Sequence, residues 1–246
     1  MKAGVVGGMG PRSMARWYNE VIRYCIEVRG VSANDGFPHL MMTSTPVPDL
    51  VHDDRRRRDV LAMIRSDLAA LEATGADFLA IACNTVHTFF DELAEQRRVP
   101  LLNMIDLTAN TVLEAQPQSV LVLATPTSMQ QGLYASTLEK CGLQVALPPR
   151  SDWDRLGEVI SRLVGGQDTS DDRAWVRLLV HPHVDVVVLG CTELGFAFED
   201  RDHEHAVAIV EPLAVLAQQV ADLCLNPTDQ SAQALDRHAA IRQEFK

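Results

Sequence analysis

Two cysteines, Cys83 and Cys191, lie at the same position in two similar segments of the chain, 75–85 and 183–193. In each segment an aspartate precedes an apolar run, and the cysteine that ends the run is followed by a turn containing threonine. The two thiols are 191 − 83 = 108 residues apart. A thiolate can take a proton from one face of a carbon atom while a thiol returns a proton to the other face. The repeated context therefore predicts an acid–base pair that inverts a stereocentre.

The polar neighbours of the two cysteines fit the same chemistry. We expect Asn84, Thr85 and Thr192 to donate hydrogen bonds to a substrate carboxylate, where negative charge builds as the carbanion forms. A strand end that meets a helix N-terminus is also expected to lower the pKa of a thiol. A single cysteine in such a place is more often an inert core residue, whereas two in repeated contexts favour catalysis.

The remaining cysteines lack this context and are assigned to packing: Cys25, Cys141 and Cys224. Five scattered cysteines without a Cys-x-x-Cys pair predict neither a disulfide framework nor a zinc site. The histidines His39, His52 and His87 also lack the spacing of metal ligands. The predicted proton transfer requires no metal and no pyridoxal phosphate, so we expect no cofactor.

Apolar, β-branched runs alternate with amphipathic stretches, which is typical of βα units around parallel sheets. Apolar residues at helical spacing predict a helix over 59–74, which Gly75 can end in the left-handed conformation. Both cysteines then fall at the carboxyl ends of strands, where ligands bind in open parallel sheets. The predicted strands are Ala3–Val6, Phe37–Thr43, Asp77–Ala82, Pro100–Met104, Ser119–Ala124, Leu143–Leu147, Val184–Leu189 and Val207–Val210.

The similarity of the two cysteine segments indicates a diverged duplication. Each half also opens with a strand that runs into a loop of small residues, at 6–11 and 123–127. We predict an α/β fold with two pseudo-symmetric domains, each a parallel β-sheet flanked by helices, and an active site in the cleft between them. The first domain would comprise residues 1–105 and about 211–226, and the second residues 106–210. Residues 227–246 are interpreted as a polar C-terminal tail.

Composition narrows the class of ligand. The 246 residues are 47% apolar and carry a formal net charge of −11 without a lysine-rich tail. A negative chain of this kind has no positive field to attract nucleic acid or an anionic membrane, so a small molecule is the expected partner. The opening apolar run is too short for a signal peptide, and no stretch is long enough to span a bilayer. The sequence therefore predicts a cytoplasmic protein.

Several motifs together resemble the aspartate/glutamate racemase superfamily, and within it the aspartate-racemase branch. They span the chain up to about Pro212 and comprise Gly7-Gly-Met-Gly-Pro11 followed by Trp17-Tyr18, Cys83-Asn-Thr-Val-His87, the Thr125 loop with Ser128-Met129 and Tyr134, and Gly190-Cys-Thr-Glu193. The resemblance implies racemisation of an amino acid without a cofactor, and a homodimer.

The resemblance also implies roles for individual residues. It places the catalytic pair at Cys83 and Cys191. It places carboxylate binding at the Met9 loop, Asn84, Thr85 and Thr192, with Thr125 close by. Glu193 stands where glutamate racemases carry histidine, which implies that it orients Cys191 or meets the substrate ammonium. The alternative is an acid that only favours a helix N-terminus. His87 would support the catalytic turn or be satisfied locally on a helix.

Two positions depart from the family pattern for acidic substrates. Leu50 follows Pro48-Asp49 where such members carry an arginine, and Val164 stands before Gly165 where some carry a lysine. Residues 55–58, four arginines flanked by aspartates, would restore a positive charge if they folded inward, but are more simply a solvated helix start. The substrate is therefore expected to have a neutral or apolar side chain, and aspartate is not assumed.

Two other functions stay open from the sequence. One is covalent cysteine catalysis like that of the superfamily's maleate isomerases, against which Glu193 and the Thr85/Thr192 pair argue. The other is a ligand-binding homologue with weak catalysis, against which the retained pair of cysteines argues.

Overall fold

The computed structural model describes residues 1–52, 55–180, 183–199 and 207–226. Within them, seven parallel strands form two separate sheets. The first sheet has the order β2-β1-β3, with β1 at the centre. Its strands are β1 (Lys2–Gly7), β2 (His39–Ser44) and β3 (Phe78–Ile81).

The second sheet has the order β5-β4-β6-β7. Its strands are β4 (Ser119–Ala124), β5 (Gln144–Ala146), β6 (Val186–Gly190) and β7 (Ala208–Val210). The two sheets have the same strand arrangement. In the first sheet β1 lies between β2 and β3, and in the second sheet β4 lies between β5 and β6. The predicted α/β class with two parallel sheets is confirmed.

Helices cover the faces of both sheets. They are α1 (Pro11–Glu27), α2 (Arg57–Ala73), α3 (Phe90–Ala94), α4 (Met104–Glu114), α5 (Pro126–Gln130), α6 (Ala135–Lys140), α7 (Trp153–Gly165), α8 (Ser170–Leu178) and α9 (Pro212–Leu225). Short 3₁₀ turns lie at Asn34–Gly36, Thr85–Phe89, Arg150–Asp152 and Thr192–Phe198. Gly75 follows α2 with φ +90°, the left-handed conformation expected from the sequence. None of the helices in the described ranges is long and apolar enough to cross a membrane.

One predicted strand is wrong. Over Pro100–Met104 only Leu101 pairs with the sheet. It forms an isolated parallel bridge to Leu79 of β3, on the side of β3 away from β1. The side chain of Asn103 accepts a hydrogen bond of 3.0 Å from the backbone N–H of Ile105 and so caps α4. Because α4 already begins at Met104, only one bridge forms beside β3. In the second sheet the equivalent position beside β6 is taken by a full strand, β7.

Separate apolar cores lie beside the two sheets. Helix α9 returns from the C-terminal part of the chain to the first core, where Leu216 and Val220 pack with Trp17 and Val21. Helix α4 contributes Leu107 to this core and several other side chains to the core of the second sheet. The domain boundaries at about residues 105 and 211 stay a prediction, and the predicted tail, 227–246, lies outside the described residues.

Candidate active site

A cavity of about 390 Å³ opens at the carboxyl ends of the strands. Because the ends of parallel strands share one edge of a sheet, the turns after β1, β3, β4 and β6 all reach it. The eight residues predicted for the site all line this cavity: Met9, Cys83, Asn84, Thr85, Thr125, Cys191, Thr192 and Glu193. Residues of both sheets therefore face one space, although their individual roles stay predictions.

Cys83 lies two residues after the end of β3 and is buried, with 7% of its surface exposed. Burial raises the pKa of its thiol to about 12, and the negative charge of Glu193 adds to this. The backbone N–H groups of Val86 and Thr85 act in the opposite direction. The desolvation of the thiol outweighs these two donors.

Cys191 follows β6 and is likewise buried. Burial and the charge of Glu193 raise the pKa of Cys191 well above its ordinary value. Its Sγ donates a hydrogen bond of 3.3 Å to Glu193 Oε2. The expectation that a helix N-terminus lowers both thiol pKa values is wrong, because only short 3₁₀ turns follow the cysteines while both thiols are removed from water.

The carboxylate of Glu193 joins the two halves of the site. Its Oε1 accepts hydrogen bonds from the backbone N–H of Gly10, at 3.1 Å, and from Ser13 Oγ, at 2.8 Å. Its Oε2 accepts from Thr192 Oγ1, at 2.8 Å, as well as from Cys191. Glu193 is 3% exposed. These contacts agree with the orienting role that the resemblance implies, and Ser13 is a contact that the sequence reasoning missed.

The amide of Asn84 is held in one orientation. The hydroxyl of buried Tyr134 donates a hydrogen bond to Asn84 Oδ1. Asn84 Nδ2 is buried without a hydrogen-bond partner and belongs to a residue that lines the cavity. Since buried donors are normally paired, this N–H group is suited to a ligand oxygen. Tyr134 was noted only as part of the family motif, and its contact with Asn84 could not be read from the sequence.

A chain of hydroxyl groups crosses between the two halves. Thr85 Oγ1 lies 3.2 Å from Thr125 Oγ1, and Thr125 donates to Ser128 Oγ at 2.8 Å. Thr125 also caps α5 by accepting from the backbone N–H of Ser128, at 3.1 Å. These short contacts bring Thr85, Thr125 and Ser128 into one polar patch, whereas the hydroxyl of Thr192, also predicted to bind the carboxylate, donates to Glu193 instead.

His87 supports the turn that carries Cys83. Its Nε2 accepts a hydrogen bond of 3.2 Å from the backbone N–H of Met104, which assigns the ring proton to Nδ1. Nδ1 lies 2.8 Å from the carbonyl oxygen of Cys83 and donates to it. His87 is 5% exposed and stacks on Phe90. Of the two roles left open for His87, the contacts favour support of the turn that carries Cys83.

The described part of the cavity wall carries negative but not positive side chains. Among the described residues that line it, the charged ones are Asp49 and Glu193, and none is lysine, arginine or histidine. Leu50 and Val164, which replace the arginine and lysine expected for acidic substrates, both line the cavity. The wall also includes Pro48 and Ser161, which the sequence analysis did not predict.

The four arginines at 55–58 do not line the cavity. Arg56 pairs with Asp59 at 2.8 Å, and Arg57 pairs with Glu92 near the start of α2. Arg55 and Arg58 are exposed. The arginines are therefore a solvated helix start and do not replace the missing charge.

The three other cysteines differ in their surroundings. Cys25 and Cys224 are buried in the first core, as expected. Cys141 is exposed, so its assignment to packing is wrong: it ends α6 beside Gly142 (φ +85°), where the chain turns at the surface. Within the described ranges, no three His, Cys, Asp or Glu side chains lie together as metal ligands would.

Known proteins resemble this chain in sequence and in fold. RacX of Bacillus subtilis (strain 168), a broad specificity amino-acid racemase, is 27% identical over 224 residues, which cover 87% of this chain and 94% of RacX. An aspartate racemase homologue from Pyrococcus horikoshii OT3 superposes with a TM-score of 0.73 at 26% identity, covering 91% of this chain and 98% of that one. Picrophilus torridus aspartate racemase has the same fold, with a TM-score of 0.76 at 23% identity over 89% and 94% of the two chains.

The family model named Asp/Glu/Hydantoin racemase matches residues 6–220, which include both cysteine segments and all the described residues that line the cavity. The resemblance read from the motifs is confirmed, and the chain belongs to the Asp/Glu/hydantoin racemase family.

Proposed function

We propose that this protein racemises an amino acid by moving protons at Cα between Cys83 and Cys191. The observation that carries the proposal is that two buried cysteines, from equivalent strand ends of two similar sheets, line one cavity. A thiolate on one face of Cα removes the proton, and the thiol on the other face returns one. The roles of the two sulfurs exchange for the opposite enantiomer. All the groups named in this reaction belong to the chain itself.

Substrate binding prepares the proton transfer. The α-carboxylate would accept hydrogen bonds from Asn84 Nδ2 and from a hydroxyl group of the patch formed by Thr85, Thr125 and Ser128. The Thr192 hydroxyl would take part only by releasing its hydrogen bond to Glu193. The α-ammonium would lie near Glu193. Because the charge of Glu193 helps to raise the pKa of both thiols, a positive group beside it offsets that effect and favours ionisation of one sulfur. Without a positive group beside Glu193, burial and this negative charge both favour the protonated thiols.

We propose further that the substrate side chain is not acidic. A carboxylate placed along Leu50 and Val164 would meet apolar groups and the negative charge of Asp49. Burial of a charge without a partner is unfavourable, so aspartate and glutamate would bind weakly. The description of RacX as a broad specificity enzyme is compatible with a non-acidic substrate.

Exchange of the Cα proton in deuterated water tests the mechanism directly. We expect the protein to exchange and invert members of a panel of neutral amino acids. Replacement of Cys83 or Cys191 by serine should lower racemisation by at least about a thousandfold, because a serine hydroxyl is a far weaker acid than a thiol and does not ionise near neutral pH to act as the base. Each variant is expected to retain exchange from one enantiomer only.

Three results would contradict this proposal. One is full activity in both single variants, and another is a folded protein that neither exchanges nor inverts any amino acid. The third is a covalent adduct on Cys83 with an unsaturated dicarboxylate, detected by mass spectrometry, which would favour the isomerase alternative. The Cys141→Ser variant is the matched control, because Cys141 is exposed and does not line the cavity.

The assembly and the compartment belong to the same proposal. Family resemblance supports a homodimer, which light scattering after size exclusion would test. The five free cysteines in the chain are compatible with the reducing cytoplasm.

A further inference from the structure

Ser161 is a polar residue of the cavity that the proposed mechanism leaves unused. It lies on α7 and lines the cavity. Its Oγ is buried and has no hydrogen-bond partner, not even the backbone carbonyl one turn earlier. Serine hydroxyls within helices commonly make that bond, and buried hydroxyls are normally paired. An unpaired hydroxyl in a cavity wall is therefore suited to a ligand.

The position of Ser161 along α7 indicates which part of the ligand it meets. Gly157, Ser161 and Val164 lie on one face of the helix, spaced four and three residues apart, or about 6 and 4.5 Å along the axis. A Cβ atom at Gly10 would lie 3.2 Å from Val164, and the N–H of Gly10 donates to Glu193. The Val164 end of this face is therefore near the expected ammonium site.

The opposite end of the same face approaches the loop after β2. A Cβ atom at Gly157 would lie 2.6 Å from the ring of His52, and the carbonyl of Val51 accepts hydrogen bonds from Thr127. Ser161 lies between this loop and the ammonium site. A substrate side chain that extends from Cα toward the loop would pass along Ser161.

The surroundings of Ser161 determine the chemical class of that side chain. The loop and α7 contribute mainly apolar groups to this part of the wall, including Pro48, Leu50 and Val164. Asp49 is exposed, and its Oδ1 accepts from the backbone N–H of Val51 at 2.8 Å. An apolar wall with one buried hydroxyl accommodates an uncharged polar group better than an ion.

We propose that Ser161 determines substrate specificity by forming a hydrogen bond with an uncharged hydroxyl-bearing side chain of the amino acid. This inference rests on the proposed function, because it assumes that the amino acid binds with its Cα between the two cysteines. It predicts that the protein distinguishes a hydroxyl group from a methyl group of nearly the same size.

Pairs of amino acids that differ only in this way test the proposal. Serine is compared with α-aminobutyrate, homoserine with norvaline, and δ-hydroxynorvaline with norleucine, so that the hydroxyl reaches progressively farther from Cα. For the pair whose side chain is long enough to bring its hydroxyl to Ser161, we expect Ser161→Ala to lower kcat/KM for the hydroxyl substrate by about three- to tenfold. This is the effect of losing one neutral hydrogen bond. The methyl partner should change less than about twofold.

Binding is measured alongside turnover by calorimetry with the same pairs. If the wild type binds the hydroxyl member and the Ser161→Ala variant loses the same factor in affinity, the inference holds even if Cα exchange shows that the proposed reaction does not occur. Equal losses for both members of every pair, or no loss for any member, would overturn it. Absence of binding by any member to the wild type would also overturn it.

The variant is not expected to damage the fold, because alanine favours a helix at least as well as serine. Ser66→Ala is the matched control: Ser66 is exposed on α2 and does not line the cavity. Thermal unfolding of both variants should occur at or above the wild-type temperature, so that a selective loss for hydroxyl substrates is attributable to the missing hydroxyl.

Discussion

Glu193 is the residue at which the polar contacts of the site converge. Its carboxylate accepts hydrogen bonds from Gly10 and Ser13 of the first half and from Cys191 and Thr192 of the second. It also contributes to the raised pKa values of both catalytic candidates. One carboxylate thus influences the position of one thiol and the protonation of two.

The first prediction concerns the charge of Glu193. In Glu193→Gln the shape is nearly kept but the negative charge is lost, so the pKa of Cys83 and of Cys191 should fall toward ordinary values. A lower pKa means that thiolate forms at lower pH, and alkylation of both residues should therefore begin at lower pH than in the wild type. Rates of iodoacetamide modification across pH, read by peptide mass spectrometry, measure this.

Asp49→Asn is the control for this experiment, because Asp49 is the second carboxylate among the described residues that line the cavity and is not among the causes of the raised thiol pKa values. A wild-type alkylation profile in Glu193→Gln would show that burial alone keeps the thiols protonated.

The second prediction concerns the amide orientation at Asn84. Tyr134→Phe removes the hydroxyl that donates to Asn84 Oδ1, so the amide is no longer held with Nδ2 free for the substrate. We expect KM to rise by about three- to tenfold with a smaller change in kcat, since carboxylate binding is needed in the ground state and the transition state alike. Steady-state kinetics with a neutral substrate measures the change in KM and the change in kcat separately.

Tyr18→Phe is a suitable comparison, because Tyr18 is 42% exposed and does not line the cavity. An unchanged KM in Tyr134→Phe would mean that the orientation of Asn84 does not depend on this contact.

Among the elements, α8 shows how a local sequence signal stabilises the region next to the site. Thr169 and Asp172 form a reciprocal capping box, and Asp172 also pairs with Arg162 of α7 at 2.7 Å. The hydrogen bond from Arg162 lowers the pKa of Asp172 to about 2. This pair joins α8 to the helix that carries Ser161 and Val164.

The third prediction is that Asp172→Ala lowers the free energy of unfolding by about 1 kcal/mol near neutral pH, because the carboxylate that accepts from the Thr169 backbone N–H and pairs with Arg162 is lost. Because the pKa of Asp172 is lowered by folding, its contribution is complete above the ordinary carboxyl pKa of about 4 and is lost as the pH falls through about 2. The difference between wild type and variant in urea unfolding should therefore shrink over that window.

Asp171→Ala tests the alternative of a general first-turn charge effect, because Asp171 is an exposed acid in the same turn. Equal destabilisation by the two substitutions would argue against a specific role for the capping box.

For the whole molecule, the burial of the cysteines predicts an order of chemical modification. Cys141 is exposed, whereas the other four thiols are buried, and two of them line the cavity. In the folded protein, brief treatment with iodoacetamide should modify Cys141 first. A bound amino acid should then protect Cys83 and Cys191 without changing the rate at Cys141, as peptide mass spectrometry would show.

The variant Cys141→Ser should lack the rapid phase of iodoacetamide modification and keep the slow phase, in which the buried cysteines react. Modification of Cys25 or Cys224 at the rate of Cys141 would contradict the burial of these side chains in the first core.

The repeated architecture and the candidate cysteines could be predicted from the sequence by itself. Strand periodicity and turn residues are local signals. The repetition of an apolar strand, a cysteine and a threonine-containing turn can likewise be seen by comparing two segments of the sequence. The end of α2 at Gly75 was predictable for the same reason. The error at Pro100–Met104 arose where a local apolar run competed with the cap formed by Asn103.

Only the tertiary structure decided the chemical state and the detail of the site. The raised pKa values of the two thiols follow from their removal from water, which depends on everything packed around them. The contacts of Glu193 with Ser13, and of Tyr134 with Asn84, join residues 180 and 50 positions apart. The unpaired hydroxyl of Ser161 is visible only once the surrounding atoms are known. Burial and long-range contact are properties of the assembled chain, and these features therefore could not be read from the order of the residues.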